Sequence, residues 1–258
     1  MNPVECMKPS DDSMVIVNHY RHLADRGELP SWMPTYRGLP IHSLPEKHER
    51  VGELLEASLP KGSHILDLAA GAGALSLRMQ DLGYKVTACD YVKENFRLHE
   101  TVPFQRVNLN ETFANQFEEK FDAIVASEIL EHIENPRHVL RQCARLLKNE
   151  GLLLATTPNI ESSFSIAMRL RNGYFPLFDD AYYRRDGHIT PITRLVLSQA
   201  LDEAGFSIET FETAGAFYPA PWWKLRLLIK AIDALRVDKN IARGASLIVV
   251  ARLHTENA

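Results

Sequence analysis

The run Ile65-Leu66-Asp67-Leu68-Ala69-Ala70-Gly71-Ala72-Gly73 carries a short apolar segment straight into a loop of small residues, and Asp90 closes the next apolar segment. Small residues let backbone come close to a ligand, and a helix starting after Gly73 offers its unpaired N–H groups. An acid at the end of the following strand can accept both hydroxyls of a ribose. Together these residues suit a nucleoside-bearing cofactor. A second reactive group follows in Ser127-Glu128-Ile129-Leu130-Glu131-His132, and His188 stands just before Ile189-Thr190-Pro191. Glu128 and Glu131 are three apart and Glu128 and His132 four apart, so one helical face could present all three. His132 and His188 are of a type that moves protons near neutral pH, and each can equally be a structural histidine.

Alternating elements must position these groups. Strands are expected at His64–Leu68, Lys85–Cys89, Phe104–Val107, Phe121–Ala126 and Leu152–Thr156, from their short apolar runs. Between them helices are expected at Glu46–Leu59, which precedes the first strand, and at Ala74–Leu82, Lys93–His99, Glu111–Gln116 and Pro136–Leu147. Strands separated by helices imply a parallel sheet with right-handed crossovers. After Pro158 the rhythm changes. Ile160–Arg171 reads as helix, Asn172–His188 as a polar, tyrosine-rich loop, and Ile192–Ala204 as a helix closed by Gly205. Thr190 would cap that helix, with Pro191 as its first residue. Phe206–Phe211 and Ala245–Leu253 read as the last strands, flanking a helix at Trp222–Arg236. Residues 1–45 are proline-broken, with one short helix expected at Met14–Leu23.

The chain has 258 residues, enough for one α/β domain with additions. Its 29 basic and 33 acidic residues give a formal charge of −4, and no long basic run points to nucleic acid. Cys6, Cys89 and Cys143 are far apart and form no CxxC pair, which argues against a disulfide framework or zinc site and fits a reducing cytoplasm. No signal-peptide pattern or long apolar span is present, so a cytoplasmic location is expected.

The segment Asp67 to Gly73 resembles the first motif of class I S-adenosylmethionine-dependent methyltransferases, acid-x-Gly-x-Gly-x-Gly, with Ala69 replacing the first glycine. An alanine methyl is tolerable there at negative φ. A nicotinamide-binding Rossmann turn is the rival, and Ser76 stands where its third small residue would be. Phe121 to Ile133 resembles the fourth-strand motif of small-molecule methyltransferases. Leu146-Leu147-Lys148-Asn149-Glu150-Gly151 resembles their "LLKPGG" turn, Asn149-Glu150 replacing Pro-Gly. The resemblance spans residues 46–157 with a looser tail to 253, and its Glu-x-x-Glu-His pattern is similar to that of ubiquinone-pathway O-methyltransferases. It implies a Rossmann-like α/β fold: a seven-stranded mixed sheet, order 3-2-1-4-5-7-6, last strand antiparallel, helices on both faces. Residues 1–45 would form an N-terminal extension, 46–157 the cofactor core, 158–190 a lid insertion over the acceptor, and 191–258 the C-terminal part of the sheet.

The resemblance also implies roles. Asp67 would orient the loop beside the cofactor's ammonium, and Ala69, Gly71 and Gly73 would let methionine and ribose lie on backbone. Asp90 would hold the ribose hydroxyls, Tyr91 and Leu109 would flank the adenine, and Asn108 would accept from its amino group. Ser127 and Glu128 would floor the transfer site, and His132 and His188 are the candidate proton acceptors. In the ubiquinone-pathway relatives Glu128, Glu131 and His132 would be linked to a divalent cation; local pairing of Glu131 with His132 is the preferred reading, and no metal site is assigned. Ser127-Glu128-Ile129-Leu130 lacks the Pro-Pro-aromatic motif of nucleobase-amine methyltransferases. The expected reaction is O-methylation of a small molecule or a glycan- or lipid-type precursor. A non-catalytic S-adenosylmethionine-binding module and a nicotinamide-dependent oxidoreductase remain as alternatives. The acceptor is expected among residues 14–45 and 160–190, with Tyr20, Trp32, Tyr36, Phe164, Tyr182 and neighbouring aromatics, and Arg184 and Arg185 as candidate anion contacts. In the helix at 222–236, Leu225, Leu228, Ile232 and Leu235 are expected on one face, and Arg226, Lys230, Asp233 and Arg236 opposite. Its readings are a cover for the sheet, a homodimer contact, or peripheral membrane contact.

Overall fold

The computed structural model describes residues 34–217 and 222–254; the expected helix at 14–23, with Tyr20 and Trp32, lies outside them. The sheet strands are β1 (His64–Leu68), β2 (Lys85–Asp90), β3 (Phe104–Arg106), β4 (Phe121–Ser127), β5 (Leu147–Pro158), β6 (Phe206–Ala214) and β7 (Ser246–Leu253). Their order is 3-2-1-4-5-7-6. The first five run parallel, and β7 lies antiparallel between β5 and β6. A two-residue hairpin, Thr35–Tyr36 with Leu39–Pro40, precedes them.

Alternation of side chains divides the core in two. Ile65, Val125, Leu154 and Val250 pack on one face with Val51, Leu55 and Met79. Leu66, Ile124, Leu153 and Val249 pack on the other with Leu140, Leu201 and Phe113. Both faces are thus covered, which is why these strands read as continuous apolar runs. The first face receives α1 (Pro45–Ser58) and α2 (Ala74–Asp81); the second receives α3 (Pro136–Leu146) and α6 (Arg194–Glu203).

Several expected elements differ. Helices at 93–99 and 111–116 are reduced to 3₁₀ turns at Lys93–Asn95 and Ala114–Gln116. Phe96 is spent on packing against Phe104, with ring centres 4.8 Å apart. The Gln142 side chain accepts from both Phe113 N and Ala114 N, at 3.2 and 3.0 Å, and so replaces helical partners. Strand β5 begins at Leu147 rather than Leu152. The helix expected from Ile160 is α4 (Ser163–Asn172), delayed because Ser162 caps it by accepting from Ser165 N. The segment 172–188 is not all loop. It holds α5 (Asp180–Asp186), capped by the Asp179 side chain and ended by left-handed Gly187. Helix α6 is capped by Thr193, not Thr190, whose hydroxyl donates instead to Ile133 O at 2.7 Å. Helix α7 (Trp223–Leu235) packs on α4 rather than on the sheet.

Candidate active site

The carboxyl ends of β1, β2 and β4 open into a cavity of about 1110 Å³. Ligand pockets typically occupy about 300–1,000 Å³, so there is room for a nucleoside cofactor and an acceptor together. Asp67, Ala69, Gly71, Asp90, Tyr91, Asn108, Leu109, Ser127, Glu128, His132 and His188 all line it. Of the expected site residues, Gly73 does not. It starts α2 with φ +92°, and a Cβ there would stand 2.9 Å from Phe96 Cε2, so its smallness serves packing behind the loop.

Two short backbone bonds shape the cofactor end. Asp90 Oδ2 accepts from Gly71 N at 2.8 Å, and Oδ1 accepts from Val92 N at 2.9 Å. The Tyr91 N–H acts on the same carboxyl, which keeps acceptor capacity for a hydroxyl. To bring Gly71 over β2, the chain turns sharply at Ala69, and Ala70 N donates to Cys89 O at 3.0 Å. Ala69 is therefore left-handed, φ +63°, not at the negative φ expected of an alanine. That conformation costs about 1–2 kcal/mol, borne by the surrounding loop. Asp67 is buried and accepts from the Ser76 hydroxyl; burial pushes its carboxyl up to about 7. Tyr91 has the Arg106 guanidinium 5.2 Å from its ring centre. Asn108 Oδ1 accepts from Asn110 N at 3.1 Å and its amide donates to Glu111 at 2.9 Å, so an adenine would share an already oriented side chain.

At the other end, Glu128 is not on a helical face with Glu131 and His132. It sits at the strand end in a left-handed conformation, φ +51°, and the 3₁₀ turn Leu130–His132 follows. Glu128 N donates to Thr156 O at 3.0 Å, its Oε1 accepts from Thr156 Oγ1 at 2.8 Å, and its Oε2 is ion-paired with Lys47. Burial raises the Glu128 carboxyl, but the Lys47 ammonium and the hydroxyls of Thr156 and Ser246 outweigh it and hold the group below the usual range. Lys47 escaped the sequence reading. The signal was there: it shares a helical face with Val51, Leu54 and Leu55, where a cation needs a buried partner.

Glu131 is fully buried, and burial together with the Glu128 charge pushes its carboxyl well above the usual range. Its Oε2 accepts from Thr157 Oγ1 at 3.2 Å, and its Oε1 has no hydrogen-bond partner. His132 Nδ1 lies 3.2 Å from Gly187 O, and His188 Nδ1 lies 2.8 Å from Leu177 O. A carbonyl only accepts, so both Nδ1 atoms carry the proton and both Nε2 atoms keep a lone pair. The two rings meet edge to face, 4.7 Å between centres. Burial, then the neighbouring His188, depresses His132 to about 4, and burial also lowers His188. Among the described residues, Glu131, His132 and His188 bring donor atoms within 4.8 Å of one another and could hold a metal ion. Glu128 cannot complete the Glu-x-x-Glu-His set while Lys47 occupies it.

Beside this geometry stand the comparisons with known proteins. Residues 41–210 match the family described as "Methyltransferase domain". The ubiquinone biosynthesis O-methyltransferase of Xanthomonas axonopodis pv. citri is 32% identical over 192 residues, covering 71% of this chain and 77% of the relative. The chain belongs to the class I S-adenosylmethionine-dependent methyltransferases. A methyltransferase structure from Archaeoglobus fulgidus superposes with TM-score 0.55 at 15% identity, over 80% of this chain and 94% of that one. The magnesium protoporphyrin IX methyltransferase of Synechocystis PCC 6803, solved with bound SAH, gives 0.55 at 17% identity, over 80% and 82%. Both share the fold. The cofactor of this methyltransferase is S-adenosylmethionine, and the nicotinamide alternative falls. No helix among the described residues is long and apolar enough to cross a membrane.

Proposed function

We propose that this methyltransferase acts on a hydroxyl oxygen of a small acceptor with an apolar portion, of glycan or lipid-precursor type. The observation that carries this reading is the His132–His188 pair, two neutral imidazoles with oriented Nε2 lone pairs at the acceptor end of the cavity. The relatives' name, O-methyltransferase, supports the same atom. Phe164, Met168, Leu177 and Phe217 give that end an apolar wall, and residues 158–190 would act as its cover.

When bound, S-adenosylmethionine supplies a methyl group already activated on a sulfonium. The protein's part is then alignment and proton removal. Asp90 would hold the ribose hydroxyls, Tyr91 and Leu109 the adenine, and Asp67 the ammonium. One of the two Nε2 atoms would take the proton of the acceptor's hydroxyl. A metal on Glu131, His132 and His188 would lower the acceptor hydroxyl's pKa instead, at the expense of that free base.

Calorimetric titration with S-adenosylmethionine, followed by a screen of phenolic and sugar hydroxyl acceptors, tests this. The Asp90→Ala variant should bind cofactor at least ~10-fold more weakly, having lost the carboxylate that accepts from the Gly71 and Val92 N–H groups and would accept from the ribose hydroxyls. His132→Ala and His188→Ala should keep cofactor affinity and lose turnover. Turnover unchanged in both histidine variants would remove the proton-acceptor role. Cofactor binding without turnover of any acceptor would favour the non-catalytic module.

A further inference from the structure

Helix α7 has two apolar faces, and only one is used. Leu225, Leu228, Ile229 and Ile232 pack against Ala167, Phe164 and Met168 of α4. On the opposite side Trp223 and Leu227 are 66% and 55% exposed, four residues apart and so along one side. Leu235, expected on one face with Leu225, Leu228 and Ile232, is 85% exposed as the last residue of the helix. Trp222 and Leu170 of α4 extend the exposed apolar surface, and Arg171 lies 3.8 Å above the Trp222 ring. Scattered exposed leucines need no explanation, but a contiguous set on one helix pair does.

The charge around this surface is one-sided. Arg169, Arg171, Lys224, Arg226 and Lys230 fall in the spans 163–178 and 222–232, which contain no aspartate or glutamate. The next acids along are already committed: Asp179 caps α5, Asp180 pairs with Arg184, Asp233 accepts from the Ser163 hydroxyl and Asp238 pairs with Arg194. In a chain of net charge −4 this basic surface is a local exception.

We propose that the α4–α7 surface docks this methyltransferase on an anionic lipid bilayer, with Trp223 and Leu227 entering the headgroup boundary and the flanking bases meeting lipid phosphates. Tryptophan beside lysine and arginine on a short amphipathic helix suits that boundary, where the ring is apolar and its N–H wet. A second copy fits less well, because a two-fold contact through this face would set the bases against one another. The surface also has a functional address. Phe164 and Met168 join the α4–α7 cluster on one side and line the acceptor cavity on the other, so the docked face would lie one helix away from the site. In that respect the inference deepens the lipid-type acceptor reading and rests on it; the docking itself does not require it.

The test is co-sedimentation of the full chain with phosphatidylcholine vesicles, with and without phosphatidylglycerol. Binding is expected only with phosphatidylglycerol and should weaken in high salt. The double variants Trp223→Ser/Leu227→Ser and Lys224→Glu/Lys230→Glu should each lower partitioning at least ~10-fold, with S-adenosylmethionine affinity unchanged by calorimetry. The positions are exposed, so folding should survive, and cofactor binding reports it. No binding by wild-type protein that still binds cofactor would overturn the inference and leave the methyltransferase reading standing. Binding that persists in both double variants would overturn it, as would a dimer abolished by Trp223→Ser/Leu227→Ser.

Discussion

The Lys47–Glu128 pair lies at the point where β4 gives way to the cavity; Lys47 is buried and the Glu128 side chain is 15% exposed. A buried ion pair adds little net stability, but removing one partner strands the other charge, at about 3–5 kcal/mol. The Glu128 carboxyl is held below its ordinary range, so its contribution is present above the unfolded pKa and is lost as pH falls through the folded one. Lys47→Met should therefore destabilise the protein by about 3 kcal/mol at neutral pH, and by less in acid, where the stranded carboxylate can protonate. Lys47→Met/Glu128→Gln should recover most of that loss. Urea unfolding of the two variants across pH checks this, and equal destabilisation at all pH values would exclude the charge explanation.

Among the elements, the parallel strands were legible because both their faces are buried: Ile65, Leu66 and Leu68 could belong to nothing but a central strand. The loop at 69–73 was legible by composition, yet not by conformation, since nothing in the sequence forces Ala69 to positive φ until Asp90 is seen to hold Gly71. Short helices failed where a distant side chain took over backbone bonding, as Gln142 does at 113–114. Helix α5 was hidden by its aromatic content, although Asp179 and Gly187 bracket it as ordinary start and stop signals. The acceptor end was least legible, because Lys47, Glu128 and Thr156 come from three separate elements. Gly73 gives the element-scale prediction. A methyl there would meet both a left-handed backbone and the Phe96 ring. Gly73→Ala should destabilise the fold by about 2–4 kcal/mol, combining the conformational cost with overpacking. Unfolding by urea would show it, and a loss below ~1 kcal/mol would mean that Phe96 and Leu98 yield freely.

Taken whole, the molecule surrounds its cavity with acids and bases whose charged forms burial disfavours. Burial raises the carboxyls of Asp67 (to about 7), Asp90 and Glu131. Burial also lowers His48 and His132 to about 4, and it lowers His188. A raised carboxyl contributes stability below its unfolded pKa and loses it as pH rises through the folded one. A depressed histidine contributes above about 6.5 and loses that as pH falls. Between those limits the two sets offset one another, so stability without cofactor should change little across mildly acid pH. A cationic cofactor breaks the balance. With its ammonium beside Asp67, as proposed, the carboxylate would be favoured, so binding below pH ~7 would expel the Asp67 proton, at up to ~1.4 kcal/mol per pH unit. The rise in thermal midpoint caused by S-adenosylmethionine should therefore grow between about pH 5.5 and 7.5, and Asp67→Asn should flatten it. Melting curves with and without cofactor at three pH values give the answer. A cofactor-induced shift that does not change with pH in the wild-type protein would show that Asp67 is not the group that meets the ammonium.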